Sequence, residues 1–320
     1  MMTLSKLAKL ANISVSTASK AFSGSKEVSE ETREMIFDIA KENGCFKKFY
    51  NVKYPKLVVA IIAPEFNSAY YTRYLSCIQK NLEEKNCELC VSVTEFSKEC
   101  EKNLMEYYDK HAAVDGVITI HSQIEDAGKY EVPIAFINPI HKLEYGFSVF
   151  GDSKRALEEG IVYLAGKGVD KIGFIGEQKT MQKYRGFKEM LEAKDLSYNE
   201  SFVSISDKRF EEGGYEAMER LISQKKTPRA IVCAYDYMAI GAIKCIYDHG
   251  LTVPEDIAIL GMDDIPEAKY LNPPLASIST PVDGLCQLAA EAIVKQMNGQ
   301  PITTHQELES TIHFRKSFEV

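Results

Sequence analysis

At 320 residues, with 45% hydrophobic and 26% charged residues, the chain is long enough for two or three domains and has the composition of ordinary globular material. No run approaches the ~18 consecutive apolar residues of a membrane span, and Lys6 and Lys9 interrupt any signal-peptide core, so a cytoplasmic protein is expected and a membrane or exported one is not. The net charge of −8 is unevenly spread: residues 1–56 carry +4, the remainder −12, and residues 1–26 hold four lysines and no acid. Such a distribution suits a chain that meets a polyanion at one end only.

The N-terminal stretch TLSKLAKLANISVSTASKAFSGSKEVSEETR (3–33) predicts three short helices. Thr3 can cap the first, whose apolar residues Leu4, Leu7, Ala8 and Ala11 recur at spacings of three and four. Asn12 sits at its end and tolerates a left-handed backbone. Ser14 can cap the second helix, with Val15, Ser16 and Lys20 outward and Ala18 and Ala21 inward. Ser29, followed by Glu30 and Glu31, starts a third helix through about Glu42, with the acids at its positive end. A short helix, a turn and a second helix rich in hydroxyls is the pattern that enters a DNA major groove.

On these residues the segment resembles the headpiece of the LacI/GalR family of bacterial transcription regulators. The matching positions are Leu7-Ala8 and Ala11, then Val15 through Lys20, then Val28 through Arg33. The resemblance implies that Val15 and Ser16 read bases, with Lys20 where an arginine is usual. Valine can touch a thymine methyl and serine can pair with either base type, while lysine lacks the planar fork of arginine. Thr3, Ser14, Thr17, Ser23 and Ser29 are candidate phosphate contacts, although each hydroxyl can also cap a helix.

The connector departs from the family. In place of a minor-groove A-R-x-L helix it reads GCFKKFYNVKYPKLVVA (44–60), about three residues shorter. Lys47, Lys48, Lys53 and Lys56 can neutralise phosphates, and Phe49 or Tyr50 is a candidate aromatic wedge. The expected division is a headpiece over 1–45, an atypical linker over 46–56 and an effector-binding, dimerising body over 57–320.

From Leu57 the pattern changes to short apolar runs separated by helical stretches of roughly 10–18 residues. The runs are 57–63, 88–93, 115–120, 133–138, 171–176, 201–206, 230–235 and 257–263. Nearly all-apolar runs are what parallel strands covered on both faces require, so the body is expected to be α/β with two doubly wound parallel sheets. The segments 151–177, 234–265 and 273–280 extend the family resemblance over the whole chain and imply the two-lobed periplasmic-binding-protein type. The resemblance implies crossings near Gly166–Gly168, Thr280–Pro281 and Gly299–Pro301. Lobe one would then span about 57–167 and 282–302, and lobe two about 168–281 and 303–320.

Ligands in open α/β sheets bind beyond the carboxyl ends of the strands. Candidate effector residues there are Asn67, Tyr70, Tyr71, His121, Asn138, Tyr235 and Asp263. The resemblance makes Tyr70 and Tyr71 the pair that packs on a ligand ring and Asp263 the acceptor of its hydroxyl or amine groups. It places Lys183 where an arginine is usual, and Tyr235 where an asparagine is usual; Phe210 is a further aromatic wall. Exchanging asparagine for tyrosine removes a two-point amide and adds a ring, which favours an aryl glycoside, a nucleoside or another ring-bearing effector over a simple hexose.

The eight cysteines (45, 77, 87, 90, 100, 233, 245 and 286) read as reduced thiols. Cys87 and Cys90 form a C-x-x-C inside an expected strand, with no second pair at zinc-ribbon spacing, so no metal is called for. No cofactor is expected either. An enzyme is the first rival, but no G-x-G-x-x-G, P-loop, G-x-S-x-G or H-E-x-x-H stands in the chain. The second rival is a solute-binding receptor, which residues 1–56 oppose. The expectation is a ligand-responsive repressor that binds operator DNA as a homodimer, since one headpiece reads half of a palindromic site.

Overall fold

A computed structural model describes residues 3–49, 56–112, 114–224 and 227–320. Two units separate, 1–57 and 58–320.

In the first unit α1 (Leu4–Leu10), α2 (Val15–Phe22) and α3 (Glu30–Glu42) form where the caps and periodicity require. Thr3, Ser14 and Ser29 each accept a backbone N–H three residues on, and Asn12 takes the left-handed turn at φ 54°. Leu7, Ala21, Phe22, Ile36 and Ala40 form the core, every one of them at most 2% exposed. A fourth short helix, α4 (Phe46–Phe49), adds Phe46 and Phe49 to that core. The Phe22 and Phe49 ring centroids lie 5.7 Å apart. Phe49 is therefore a packing residue and not a free wedge, and the expected linker gives its first four residues to the headpiece. Tyr50 and Lys53, and the side chains of Lys47 and Lys48, lie outside the described residues.

The second unit contains two six-stranded sheets. The first has the order β11-β5-β4-β3-β1-β2, built from β1 (Leu57–Ala63), β2 (Cys87–Val93), β3 (Gly116–Ile120), β4 (Ile134–Ile137), β5 (Phe147–Asp152) and β11 (His305–Glu309). The second has the order β12-β10-β9-β8-β6-β7, built from β6 (Ile172–Glu177), β7 (Val203–Ser206), β8 (Ala230–Cys233), β9 (Ala258–Met262), β10 (Ala276–Ser279) and β12 (Thr311–His313). β12 pairs antiparallel with β10, a departure from the all-parallel expectation.

Helices α5 (Ala69–Glu83) and α11 (Val282–Met297) bury Tyr74, Ile78, Leu285 and Ile293 against the first sheet, and α6 (Lys98–Lys110) covers it with Met105. Helices α7 (Lys154–Gly166), α8 (Met181–Ala193), α9 (Phe210–Ser223) and α10 (Asp236–Asp248) bury Leu157, Phe187, Met218 and Ile246 with the second. α9 and α10 approach so closely that a Cβ on Gly241 would meet the Glu211 carbonyl at 1.9 Å, which is why glycine stands at this crossing.

The chain crosses between lobes after β5, after β10 and between β11 and β12. Only the crossing at Thr280–Pro281 is where it was expected. Gly166 and Gly168 end α7, whose Ala156, Leu157, Ile161 and Leu164 already pack in the second lobe. Gly299, at φ 66°, terminates α11 within the first lobe. These glycines are helix exits, so lobe one runs through Asp152 and regains β11, and only the residues from β12 onward return to lobe two. The crossing strands touch: the Ser310 N–H donates to the Asp152 carbonyl at 2.7 Å, and a Cβ on Gly151 would meet Thr280 at 2.9 Å.

Candidate functional site

Two surfaces gather the candidate residues. On the headpiece, α2 turns Val15 (46% exposed), Ser16 and Ser19 outward while Ala18 and Ala21 are buried. The Ser14 hydroxyl accepts the Thr17 N–H at 3.0 Å and bonds the Thr17 hydroxyl at 2.8 Å. Ser29 makes the same pair with Thr32. The Ser23 hydroxyl donates to the Lys20 carbonyl at 3.1 Å, closing the end of α2. Four of the five candidate phosphate hydroxyls (Thr3, Ser14, Ser23 and Ser29) thus cap helices, which leaves the first-turn N–H groups and the remaining lone pairs facing out. Lys20 is held by Glu27 at 2.5 Å. Arg33 donates to the Ser25 and Val28 carbonyls and so fixes the loop between α2 and α3.

In the second unit a cavity of about 430 Å³ lies between the two lobes at the carboxyl ends of the strands. Tyr70, Tyr71, His121, Asn138, Lys183, Phe210, Tyr235 and Asp263 line it. Asn67 does not; it is exposed in the turn before α5. That turn carries Glu65 into the cavity instead.

Positive φ angles concentrate here. Ten non-glycine residues among those described have them, and Phe96, His121, Asn138, Phe210 and Asp263 line the cavity. Backbone strain of this kind collects where side chains must be aimed at a site.

From the first lobe come stacked and edge-on rings. Tyr70 lies parallel to His121 with centroids 5.8 Å apart, and edge-on to Tyr71 at 5.2 Å. The Tyr71 hydroxyl bonds His121 Nδ1 at 2.9 Å. Asn138 is committed to the frame: its Oδ1 accepts the Gly151 N–H at 2.7 Å and its Nδ2 donates to the Tyr74 hydroxyl at 3.1 Å. It positions Tyr74, which in turn bonds Tyr70 at 3.1 Å.

From the second lobe come charges in balanced groups. Lys183 donates to Asp263 at 3.2 Å and to the Ala234 carbonyl at 2.7 Å. Burial raises the Asp263 carboxyl, and Lys183 partly offsets that. Asp264 turns away to Arg315 at 2.7 Å, so the two adjacent carboxylates serve different surroundings. The Tyr235 hydroxyl accepts the Phe210 N–H at 3.0 Å, which sets two rings at the wall together with Tyr237.

Arg209 was not foreseen. It stands before α9 and reaches across to Glu65 of the first lobe with two bonds of 2.6 and 3.0 Å, and to Glu177 of its own lobe at 3.3 Å. Its guanidinium lies 4.5 Å from the Phe210 ring centroid and 5.1 Å from that of Phe96. Lys179 Nζ lies 3.7 Å from the same Phe96 centroid, so two lobe-two cations hold one lobe-one ring.

Burial, then the Lys183 charge, pushes His121 down from its ordinary 6.5 to about 4. The folded chain therefore refuses a proton that the unfolded chain binds below pH 6.5. Stability should fall as pH drops from 6.5 towards 4, by about 3 kcal/mol over the window. His121→Gln removes this contribution. Urea unfolding of both proteins at pH 7 and 4.5 should show the wild type losing ground to the variant at the lower pH; an unchanged difference would count against a neutral, buried imidazole.

Residues 3–44 match the lacI family of bacterial regulatory proteins, and residues 161–318 match the periplasmic binding protein-like domain. The chain is 28% identical over 313 residues to the ribose operon repressor of Haemophilus influenzae, covering 93% of this chain and 92% of the relative. It is 26% identical over 322 residues to the HTH-type transcriptional regulator AscG of Escherichia coli, covering 93% of each. Among solved structures, the fold resembles a transcriptional regulator CelR–cellobiose complex (TM-score 0.71, 24% identity, 99% of this chain and 100% of that one). It also resembles the lac repressor dimer bound to operator and the anti-inducer ONPF (TM-score 0.72, 20% identity, 99% of each chain). The chain thus joins the helix-turn-helix of the lacI family of bacterial regulatory proteins to a periplasmic binding protein-like domain, and aligns over nearly its whole length with relatives named as repressors.

Proposed function

We propose that this chain is a cytoplasmic repressor, not an enzyme, that binds operator DNA as a homodimer through its headpieces and is controlled by a net-neutral, ring-bearing effector in the interlobe cavity. The relatives named as repressors and the structures solved with operator, cellobiose and an anti-inducer support the class of function. Cavity charge supports the effector class. Arg209 is matched by Glu65 and Glu177, and Lys183 by Asp263, so the cations at the walls already have carboxylate partners, and Lys179 rests on Phe96. A ligand entering such a site gains ring contacts with Tyr70, Tyr71, Phe210 and Tyr235 and hydrogen bonds to polar groups, and carries little charge of its own. About 430 Å³ has room for more than one ring.

An aryl glycoside or a nucleoside meets these requirements. The effector's differential affinity for the free and DNA-bound states sets the response. A thermal-shift screen of the full chain against aryl glycosides, nucleosides, plain hexoses and sugar phosphates tests the effector class. A ligand at ~100 times its Kd adds about 2.7 kcal/mol, a shift of several degrees. The proposal expects the shift from glycosides or nucleosides, and loss of that shift in Tyr70→Ala. A response to plain hexoses or to sugar phosphates alone would overturn the effector class. Repeating operator binding with the active compound then gives the direction of control.

A further inference from the structure

We propose that Arg315, acting through Asp264, is a positioning residue that aims the Asp263 carboxylate into the interlobe cavity. That Asp263 meets the effector rests on the reading of the cavity given above; the aiming itself needs no ligand. Asp263 and Lys183 line the cavity, whereas Asp264 and Arg315 do not. Arg315 follows β12, and its side chain is only 19% exposed.

The backbone at this point is under constraint. β9 ends at Met262, and the next two residues both take positive φ, 97° at Asp263 and 47° at Asp264. Neither is glycine, and two such residues in succession persist only where their surroundings over-determine them. Three consecutive N–H groups are held. Asp263 donates to the Ile278 carbonyl at 2.8 Å, Asp264 to the Ser277 hydroxyl at 3.0 Å and Ile265 to Asp236 Oδ2 at 2.8 Å. The Ser277 hydroxyl donates in turn to Asp236 Oδ1 at 2.7 Å, and both of these residues are fully buried. Asp236 is packed tightly under β9: a Cβ on Gly261 would meet its Oδ1 at 2.0 Å.

These bonds fix the path of the chain, and the side-chain partners fix its two carboxylates. Asp263 meets Lys183 in the cavity at 3.2 Å, and Asp264 meets Arg315 away from it at 2.7 Å. Arg315 is itself anchored, since it also donates to the Leu275 carbonyl at 2.6 Å. His313 Nε2, 3.5 Å from Asp264 Oδ2, is 48% exposed and holds it weakly. Without Arg315, Asp264 would keep its largely buried position but lose its arginine. The turn would then rotate Asp264 towards water, and Asp263 would leave Lys183.

Lys183 reports the aim of Asp263 directly. Its side chain is 38% exposed, so acetic anhydride reaches it, but an ammonium held by a carboxylate acylates slowly. Competitive labelling of the full chain, read lysine by lysine by mass spectrometry, measures that protection. Asp263→Asn sets the rate of the released amine. Arg315→Gln is expected to raise Lys183 acetylation by the same factor, up to about five-fold for a part-exposed ion pair, with no further rise in the double variant. Arg315→Lys restores the charge and should return most of the protection. Arg229→Gln controls for general loosening, because Arg229 holds the Pro254 carbonyl at 2.7 Å in the same lobe but outside the cavity. A wild-type Lys183 rate in Arg315→Gln, or equal release in Arg229→Gln, overturns the positioning role. The effector is probed separately, by thermal shift with adenosine and a nitrophenyl glucoside. A shift seen in the wild type should shrink in Arg315→Gln as it does in Asp263→Asn. If neither compound shifts the wild type, the effector class fails, and the labelling still decides the role of Arg315.

Discussion

Replacing Arg209 with alanine is expected to be among the most damaging single changes outside the sheet cores. Glu65 and Glu177 are 7% and 3% exposed, and Arg209 supplies the cation for both. Removing it strands two buried carboxylates, a loss of about 3 kcal/mol at the low end for a broken buried pair, because the guanidinium itself keeps some contact with water. In a unit of this size that is a fall in Tm of about 6–12 °C. Glu65→Gln should cost less, since Arg209 keeps Glu177. The double variant Glu65→Gln/Arg209→Ala should recover part of the loss, because one stranded charge is gone. The Glu65 pair also joins the two lobes, so Arg209→Ala should raise the radius of gyration in X-ray scattering. A loss under about 1 kcal/mol by urea unfolding, with no recovery in the double variant, would show the group to be a solvated surface pair.

What the sequence made legible was local. The headpiece helices follow from caps and spacing within four residues, and Thr3, Ser14 and Ser29 sit where those rules put them. The buried parallel strands declared themselves by unbroken apolar runs. Four strands did not. β11 (HQELE) and β12 (TIH) lie at the sheet edges with alternating exposure, and a polar edge strand has no apolar run to read. β5 carries Gly151 and Asp152 into the lobe crossing, and β10 reads ASIS, with serine at every second position and no apolar run.

The misplaced crossings have the same origin. Which sheet α7 covers is decided by partners as far along the chain as Leu260, Ile312 and Phe318, which crowd Gly160, while Gly168 looks identical as a hinge or as a helix exit. Arg209 went unnoticed because its partner Glu65 is 144 residues distant. Eight of nine expected effector residues do line one cavity, because strand ends converge in this architecture. Asn67 fails because a turn residue has no periodicity to fix its direction. Asn138 lines the cavity yet has its amide turned to the frame.

Operator affinity should depend more steeply on salt than on any one side chain. The charge separation, +4 on residues 1–56 against −12 beyond, confines attraction for DNA to one end. Each phosphate contacted by the basic end releases counterions, and log affinity should fall against log salt with a slope of about −0.9 per contact. Two headpieces making between them about six to ten such contacts would lose roughly 10³–10⁵ in affinity between ~50 and ~200 mM salt. Lys20 divides this bulk term from base reading. It is tied to Glu27 in the free headpiece, at a site exposed enough for the pair to be worth at most about 1 kcal/mol. Glu27→Gln should therefore raise affinity for all sequences by no more than about five-fold per half-site. Lys20→Ala should behave differently if Lys20 meets a base edge: the loss of about 1–3 kcal/mol should fall on the operator and vanish on sequences altered at that one base pair. Titrations of labelled operator and scrambled duplex across the salt series separate the two. A flat salt response would remove the headpiece from DNA binding altogether, whereas a Lys20→Ala loss equal on both duplexes would make Lys20 a phosphate contact and leave base reading to Val15 and Ser16.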